Sequence, residues 1–122
     1  MKVVDRLDEI HSANVAASST VTLFTLTIPA NLKATITHFG NPINDTAALG
    51  NLTWKLTVNG VPQHPLAAVL DQHGDISQPY ALSRPIKVNG GSSMSVIVTN
   101  SSGSTAYDAG CIVRGLLESI SD

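Results

Sequence analysis

A strand followed by a tight turn, near the middle of the chain, constrains the fold more than any other feature. From Leu52 to Val58 four apolar side chains alternate with Thr and Lys. A period of two places the apolar side chains on one face of a β-strand and the polar ones on the other. Asn59-Gly60 follows directly and favours a hairpin turn, because both residues tolerate positive φ. The segment therefore predicts antiparallel β-structure with one buried face.

Similar strand patterns recur at short intervals along the chain. Residues 20–28 are almost all β-branched, apolar or aromatic, which predicts a strand whose two faces are both at least partly buried. Residues 32–38 alternate and predict a strand with one face in solvent. Further strands are predicted at 85–88, 94–99 and 109–118, with a second hairpin-type turn at Asn89-Gly90-Gly91.

The region between residues 61 and 80 is less regular than the rest. Pro62, Pro65 and Pro79 exclude a central strand or an uninterrupted helix there, so we predict a short or bulged edge strand at 66–70. Together the patterns predict seven to eight short strands and no long helix. This indicates an all-β protein, an antiparallel β-sandwich that is jelly-roll-like rather than immunoglobulin-like.

The chain has 122 residues, which is the size of one domain. We divide it into residues 1–17, an N-terminal arm or first strand, and residues 18–122, a single β-sandwich domain. The apolar residues of the first ten positions also have near-helical spacing, so a short helix is a third possibility.

Composition restricts the partners. Lys and Arg number seven against nine Asp and Glu, for a net charge of −2, and the basic residues do not cluster in sequence. Nucleic-acid binding needs a basic stripe, so we expect no nucleic acid. Neither a signal peptide nor an apolar run of membrane-spanning length is visible, so we expect synthesis in a cytoplasm and no membrane association.

No residue pattern predicts catalysis, a cofactor or a metal. The four histidines lack metal-binding spacing, and the least implausible cluster, His73 with Asp71 and Asp75, is better explained as a polar loop. The acidic residues lie mostly in turns or near the termini, and there is no nucleophile elbow or phosphate-binding glycine loop. We therefore predict no catalytic, cofactor-binding or metal-binding residues, and no enzyme activity.

Three other residue types invite a functional interpretation. Cys111 lies in the last predicted strand with no basic neighbour in sequence, so we predict a buried structural thiol. Trp54 falls on the apolar side of its strand and is predicted to pack in the core. Tyr80 and Tyr107 are predicted to lie in loops, where they could be exposed.

Three segments carry a resemblance to a known group of proteins. They are Gly40-Asn41-Pro42-Ile43-Asn44, the strand and turn at 52–60, and the strands and turn at 88–100. With them the sequence resembles the capsid decoration (cement) and head accessory β-sandwich proteins of tailed phages. The resemblance extends from Thr20 to Glu118 and rests on the succession of strands and turns. It implies a homotrimer on the capsid surface of the virion, bound to the major capsid protein, with no catalytic residues.

On that interpretation residues 1–17 are expected to become ordered on assembly. Two alternatives remain open at this stage. A receptor- or carbohydrate-binding module, such as a fibre or adhesin tip, would place ligand contacts in the loops at 40–50 and 71–80, because function on a sandwich usually lies in its loops. A small enzyme would need a metal held by histidines from separate loops.

Overall fold

The computed structural model describes residues 2–41, 51–64, 66–70 and 80–119. This part of the chain forms nine strands and contains no helix long and apolar enough to cross a membrane. The strands are β1 (Lys2–Val15), β2 (Thr20–Thr27), β3 (Leu32–Gly40), β4 (Leu52–Val58), β5 (Val61–Pro62), β6 (Val69–Leu70), β7 (Tyr80–Val88), β8 (Ser93–Asn100) and β9 (Tyr107–Ser119).

The strands form two antiparallel sheets packed face to face. One sheet has the order β1-β9-β3-β7, and the other has the order β2-β8-β4-β5, with β6 also pairing with β4. The predicted β-sandwich is confirmed. If β5 and β6 are taken as one interrupted edge strand, the described residues form eight strand positions, within the seven to eight that the sequence predicted.

The order of the strands is that of a jelly roll, an antiparallel ribbon rolled into two sheets. The first strand pairs with the last, β2 pairs with β8, and β3 pairs with β7. The series ends at β4 and β5, which are joined by the turn at Asn59-Gly60. Partners lie at nearly matching distances on either side of Gly60: Val15 opposite Tyr107, Thr20 opposite Thr99, Ala34 opposite Val88, and Thr57 opposite Pro62. The chain is thus one long hairpin, wrapped so that its apolar side faces inward.

The core lies between the two sheets and centres on Trp54, which is fully buried as predicted. Its indole Nε1 donates a hydrogen bond of 2.9 Å to the carbonyl of Gly110, which joins β4 of one sheet to β9 of the other. Leu52 and Leu56, from the same face of β4, are buried beside it. Each such side chain contributes about 1.5–3 kcal/mol on burial.

A β-bulge in β2 changes one expectation. Thr22 lies opposite Ile97 and Phe24 opposite Val96, so Leu23 is an extra residue in the strand. The bulge shifts the inward-facing positions from odd to even numbers, which leaves Phe24 buried while Thr25 is exposed. The prediction of two partly buried faces was wrong: the strand has one apolar face, and the bulge breaks its alternation in the sequence.

One further prediction needs correction, and one open alternative is decided. Asn89-Gly90-Gly91 is not a hairpin turn, because β7 and β8 lie in different sheets and the turn carries the chain from one to the other. Of the alternatives left open for the N-terminal segment, the structure has the first strand, since β1 pairs with β9 along its length. In the structure of the single chain it is part of the folded sheet, and its ordering on assembly stays a prediction.

Candidate binding surfaces

The two outer faces of the sandwich differ in chemistry. On the β2-β8-β4 sheet, the outward positions carry almost only hydroxyl groups. We call this surface the hydroxyl face; it consists of Thr20, Thr22, Thr25, Thr27, Thr53, Lys55, Ser93, Ser95, Ile97 and Thr99. Lys55 is its only charged residue.

The hydroxyl groups of this face pair across the strands. Thr20 and Thr99 lie 3.1 Å apart through their Oγ1 atoms, Thr25 and Ser95 are 2.9 Å apart through their hydroxyl oxygens, and Thr27 and Ser93 are 3.1 Å apart. The β-sheet register makes these pairs, because each couple lies directly opposite across β2 and β8. The face is therefore polar, and six of its hydroxyl groups already form hydrogen bonds with one another.

The outer face of the β1-β9-β3-β7 sheet carries charges instead. We call it the charged face and define it by Arg6, Asp8, Lys33, Lys87, Asp108, Arg114 and Glu118. Four of these seven side chains are basic and three are acidic, in a chain whose net charge is −2. The excess of positive charge on this face is a product of the strand register, because the same residues are scattered along the sequence.

A groove of about 460 Å³ crosses the charged face over β1, β9 and β3. Arg6 and Asp8 line it from β1, Arg114 and Leu116 from β9, and Thr37 from β3. Nε of Arg114 donates to Oδ1 of Asp8 over 3.4 Å, and both side chains are partly exposed. The contact is long and in solvent, so its own contribution to stability is small.

The floor of the groove is shaped by a bulge in β3. Ile36 and His38 have successive partners on β9, Gly115 and Arg114, so Thr37 is the extra residue. Its hydroxyl donates to the carbonyl of Arg114 over 3.3 Å and lies 2.9 Å from Nδ1 of His38. Gly115 is required beside the bulge, because a Cβ there would collide with the backbone of Thr35.

A second cluster lies where β1 contacts β2, at a corner of the sandwich. The ring of His11 stacks on Phe24 with 4.4 Å between centroids and an interplanar angle of 11°, and His11 Nε2 lies 3.3 Å from Oε2 of Glu9. Cys111 lies opposite His11 and is fully buried, as predicted. Burial raises the pKa of its thiol to about 12; the charge of Glu9 adds to the rise and a backbone hydrogen bond with His11 opposes it. A thiol held protonated in this way is a poor nucleophile and a poor metal ligand.

The structure gives the positions of several residues that the sequence analysis considered as functional candidates. Tyr107 is in β9 and buried, so the prediction of an exposed loop position was wrong. Tyr80 begins β7, and the loop cluster of Asp71, His73 and Asp75 lies outside the described residues, as do residues 42–50. Among the residues that the structure does describe, no group of three His, Cys, Asp or Glu could hold a metal ion.

The sequence did not point to the groove. Arg6 and Arg114 are more than a hundred positions apart and meet only because β1 pairs with β9. The one available signal was the spacing of Arg6 and Asp8, which places both on one face of any strand that contains them.

Comparison with known proteins identifies no relative: no family model, no curated protein and no solved structure matches this chain.

Proposed function

We propose that this chain is a structural virion protein, a capsid decoration (cement) protein that binds the outer capsid and stabilises contacts between capsomers. The hydroxyl face is the observation that carries this proposal. It offers a broad sheet surface on which Lys55 is the only charge among the residues that the structure describes. The proposed partners are the major capsid protein and further copies of this chain, arranged as a trimer.

A charge-poor, hydroxyl-lined sheet is suited to being covered by another protein. Interface cores are depleted in charged residues, because an unpaired charge is costly to remove from water. Hydroxyl groups that already bond each other, as Thr25 and Ser95 do, keep a hydrogen bond when water is excluded. Burial of the face therefore leaves its three hydroxyl pairs hydrogen-bonded.

The mechanism in this proposal is additive burial. Interfaces of roughly 800 Å² per partner are enough for a specific contact. A trimer that repeats the contact at neighbouring capsomers would bind by avidity, since each further contact is intramolecular once the first has formed. In this way a small domain would hold adjacent capsomers together through contacts alone.

Capsid binding tests the proposal directly. We expect the chain to cosediment with capsids of the virus that encodes it, and to have three times its single-chain mass of 12.7 kDa in light scattering. A chain that does not bind these capsids would refute the decoration function.

A pair of variants tests the face. Thr25→Lys places a charge on the hydroxyl face, and we expect at least about tenfold weaker capsid binding, because an unpaired ammonium must be desolvated. Ser12→Lys is the matched control, since Ser12 is also an exposed strand residue but belongs to β1. Equal binding of both variants would show that the hydroxyl face is not the interface.

The alternative function, receptor or carbohydrate binding, stays a prediction from the sequence. Its expected contacts are in the loops at 40–50 and 71–80, which lie outside the described residues except for positions 40, 41 and 80.

A further inference from the structure

The groove on the charged face combines three chemical features in one place. Two guanidinium groups, from Arg6 and Arg114, lie beside a single carboxylate, that of Asp8. The apolar side chain of Leu116 lines the same groove and is 36% exposed. The space of about 460 Å³ is large enough for a side chain or a short peptide segment.

Arg114 is held in an orientation that leaves its binding end open. Its Nε atom faces Asp8, and within the described residues its two terminal nitrogens make no hydrogen bond to protein. The planar guanidinium can therefore present two parallel N–H groups to a carboxylate, the strongest geometry that an arginine has. Asp8 acts as the positioning residue for this arrangement.

Arg6 supplies the excess charge. It lies two residues before Asp8 on the same face of β1 and opposite Leu116 on β9. Its side chain makes no ion pair in the described part of the chain. Asp8 offsets one of the two arginines, so the groove keeps a net positive charge. Lys87, two strands away from Leu116 in the same cross-strand row, has the same sign.

The apolar part of the groove favours one kind of anion over others. Leu116 can pack against the methylene groups of an acidic side chain, whereas inorganic phosphate has none. Ile10, which is 49% exposed on the same face, lies just beyond Asp8 along β1 and extends the apolar surface. The groove thus matches a carboxylate attached to a hydrocarbon stem. The exposed Ile10 beside it offers a contact for the neighbouring side chains of a bound peptide.

From this geometry we infer that the groove binds an Asp or Glu side chain in an acidic segment of a protein partner, with Arg114 as the anchor and Leu116 as the apolar contact. This inference goes beyond the decoration function and does not depend on it, because the hydroxyl face lies on the other sheet.

NMR titration of the whole chain with an acetylated, amidated hexaglutamate peptide tests the inference. We expect saturable shifts at the Arg114 Nε–H and at the amides of Arg6, Thr37 and Leu116, and no such shifts with hexaglutamine. Arg114→Gln should weaken binding at least about tenfold, through loss of the paired charge-assisted hydrogen bonds. Lys55→Gln is the matched control, because it removes one positive charge from the opposite face, and it should bind as the unchanged protein does.

Three results would overturn the inference. They are an absence of shifts in the groove, equal weakening by Arg114→Gln and Lys55→Gln, and shifts of the same groove signals by inorganic phosphate at the same concentration. If Arg114→Gln does not fold, Arg6→Gln provides the test, since the side chain of Arg6 is exposed and makes no contact that the fold requires.

Discussion

Cys111 shows how burial at a single position sets chemical behaviour. Its side chain lies inside the sandwich, opposite His11 of β1, and burial raises the pKa of its thiol to about 12 from an ordinary value of 9.0. The negative charge of Glu9 acts in the same direction. The one cysteine of the chain is therefore held as a protonated, apolar group of the core.

A pH-dependent stability follows from this shift. Above pH 9.0 the unfolded chain loses the Cys111 proton while the folded chain keeps it, so the unfolded state binds fewer protons and stability falls as pH rises toward about 12. The slope from this group is at most about 1.4 kcal/mol per pH unit. We expect Cys111→Ala to be less stable at neutral pH but to lose less stability across this window, as measured by urea unfolding at several pH values. Parallel curves for the two proteins would contradict the shifted pKa.

At the scale of elements, the turn between β4 and β5 is the centre of the rolled hairpin. Asn59 and Gly60 have φ of 52° and 83°, the left-handed values that a two-residue hairpin requires. Asn59 also anchors the turn to the neighbouring strand, because its Oδ1 accepts a 2.9 Å hydrogen bond from the backbone N–H of Ser93. The turn thus sets the register of β4 against both β5 and β8.

Gly60→Ala should lower the free energy of unfolding by about 1 kcal/mol, because an alanine is strained at this φ. The surrounding space is open, with nothing within 4 Å of an added Cβ, so the backbone alone causes the loss. Gly103→Ala is the matched control: it also meets open space but has no positive φ, and its effect should stay within about 0.5 kcal/mol. Equal effects in chemical denaturation would show that the turn conformation is not the cause.

The first strand allows a second test at this scale. β1 is an edge strand that pairs with β9 from Lys2 to Val15, so its ladder amides should be protected from hydrogen exchange in the isolated chain. We expect alternate amides in residues 5–15 to exchange slowly and those between them, which point away from β9, to exchange faster. Uniformly fast exchange over this segment would identify it instead as an arm that orders on assembly.

At the scale of the whole molecule, the rolled topology makes most pairings distant in sequence. β1 and β9 join the two ends of the chain, and among the strand pairings that the structure describes only β4–β5 is closed by a two-residue turn. Long loops must close before these contacts stabilise the fold, which slows the search for the native state.

We therefore expect refolding from urea to take milliseconds to seconds, as all-β domains with non-local pairing do. Stopped-flow fluorescence of Trp54 would follow it, since this residue is buried only when both sheets have assembled. Refolding in microseconds would mean that local structure dominates the barrier. Gly103→Ala should refold at the rate of the unchanged chain, because its loop is exposed.

Local patterns in the sequence were enough for the fold class and several elements. The alternation from Leu52 to Val58 predicted the buried position of Trp54, and Asn59-Gly60 predicted the turn, because side-chain period and φ preference act within a few residues. The same reasoning failed at Asn89-Gly90-Gly91, where a turn of hairpin composition carries the chain between sheets. Which strands a turn joins depends on pairing with distant strands, and no local pattern encodes that.

The candidate binding surfaces depended on the tertiary structure for the same reason. The Thr and Ser residues of β2 and β8 were visible as polar strand positions, but only the register between the strands places them opposite one another. Arg6, Asp8 and Arg114 lie at the two ends of the sequence and meet because the ribbon rolls back on itself. The sequence by itself determined which residues face inward or outward on most strands, whereas antiparallel pairing of distant segments decided which outward residues became neighbours.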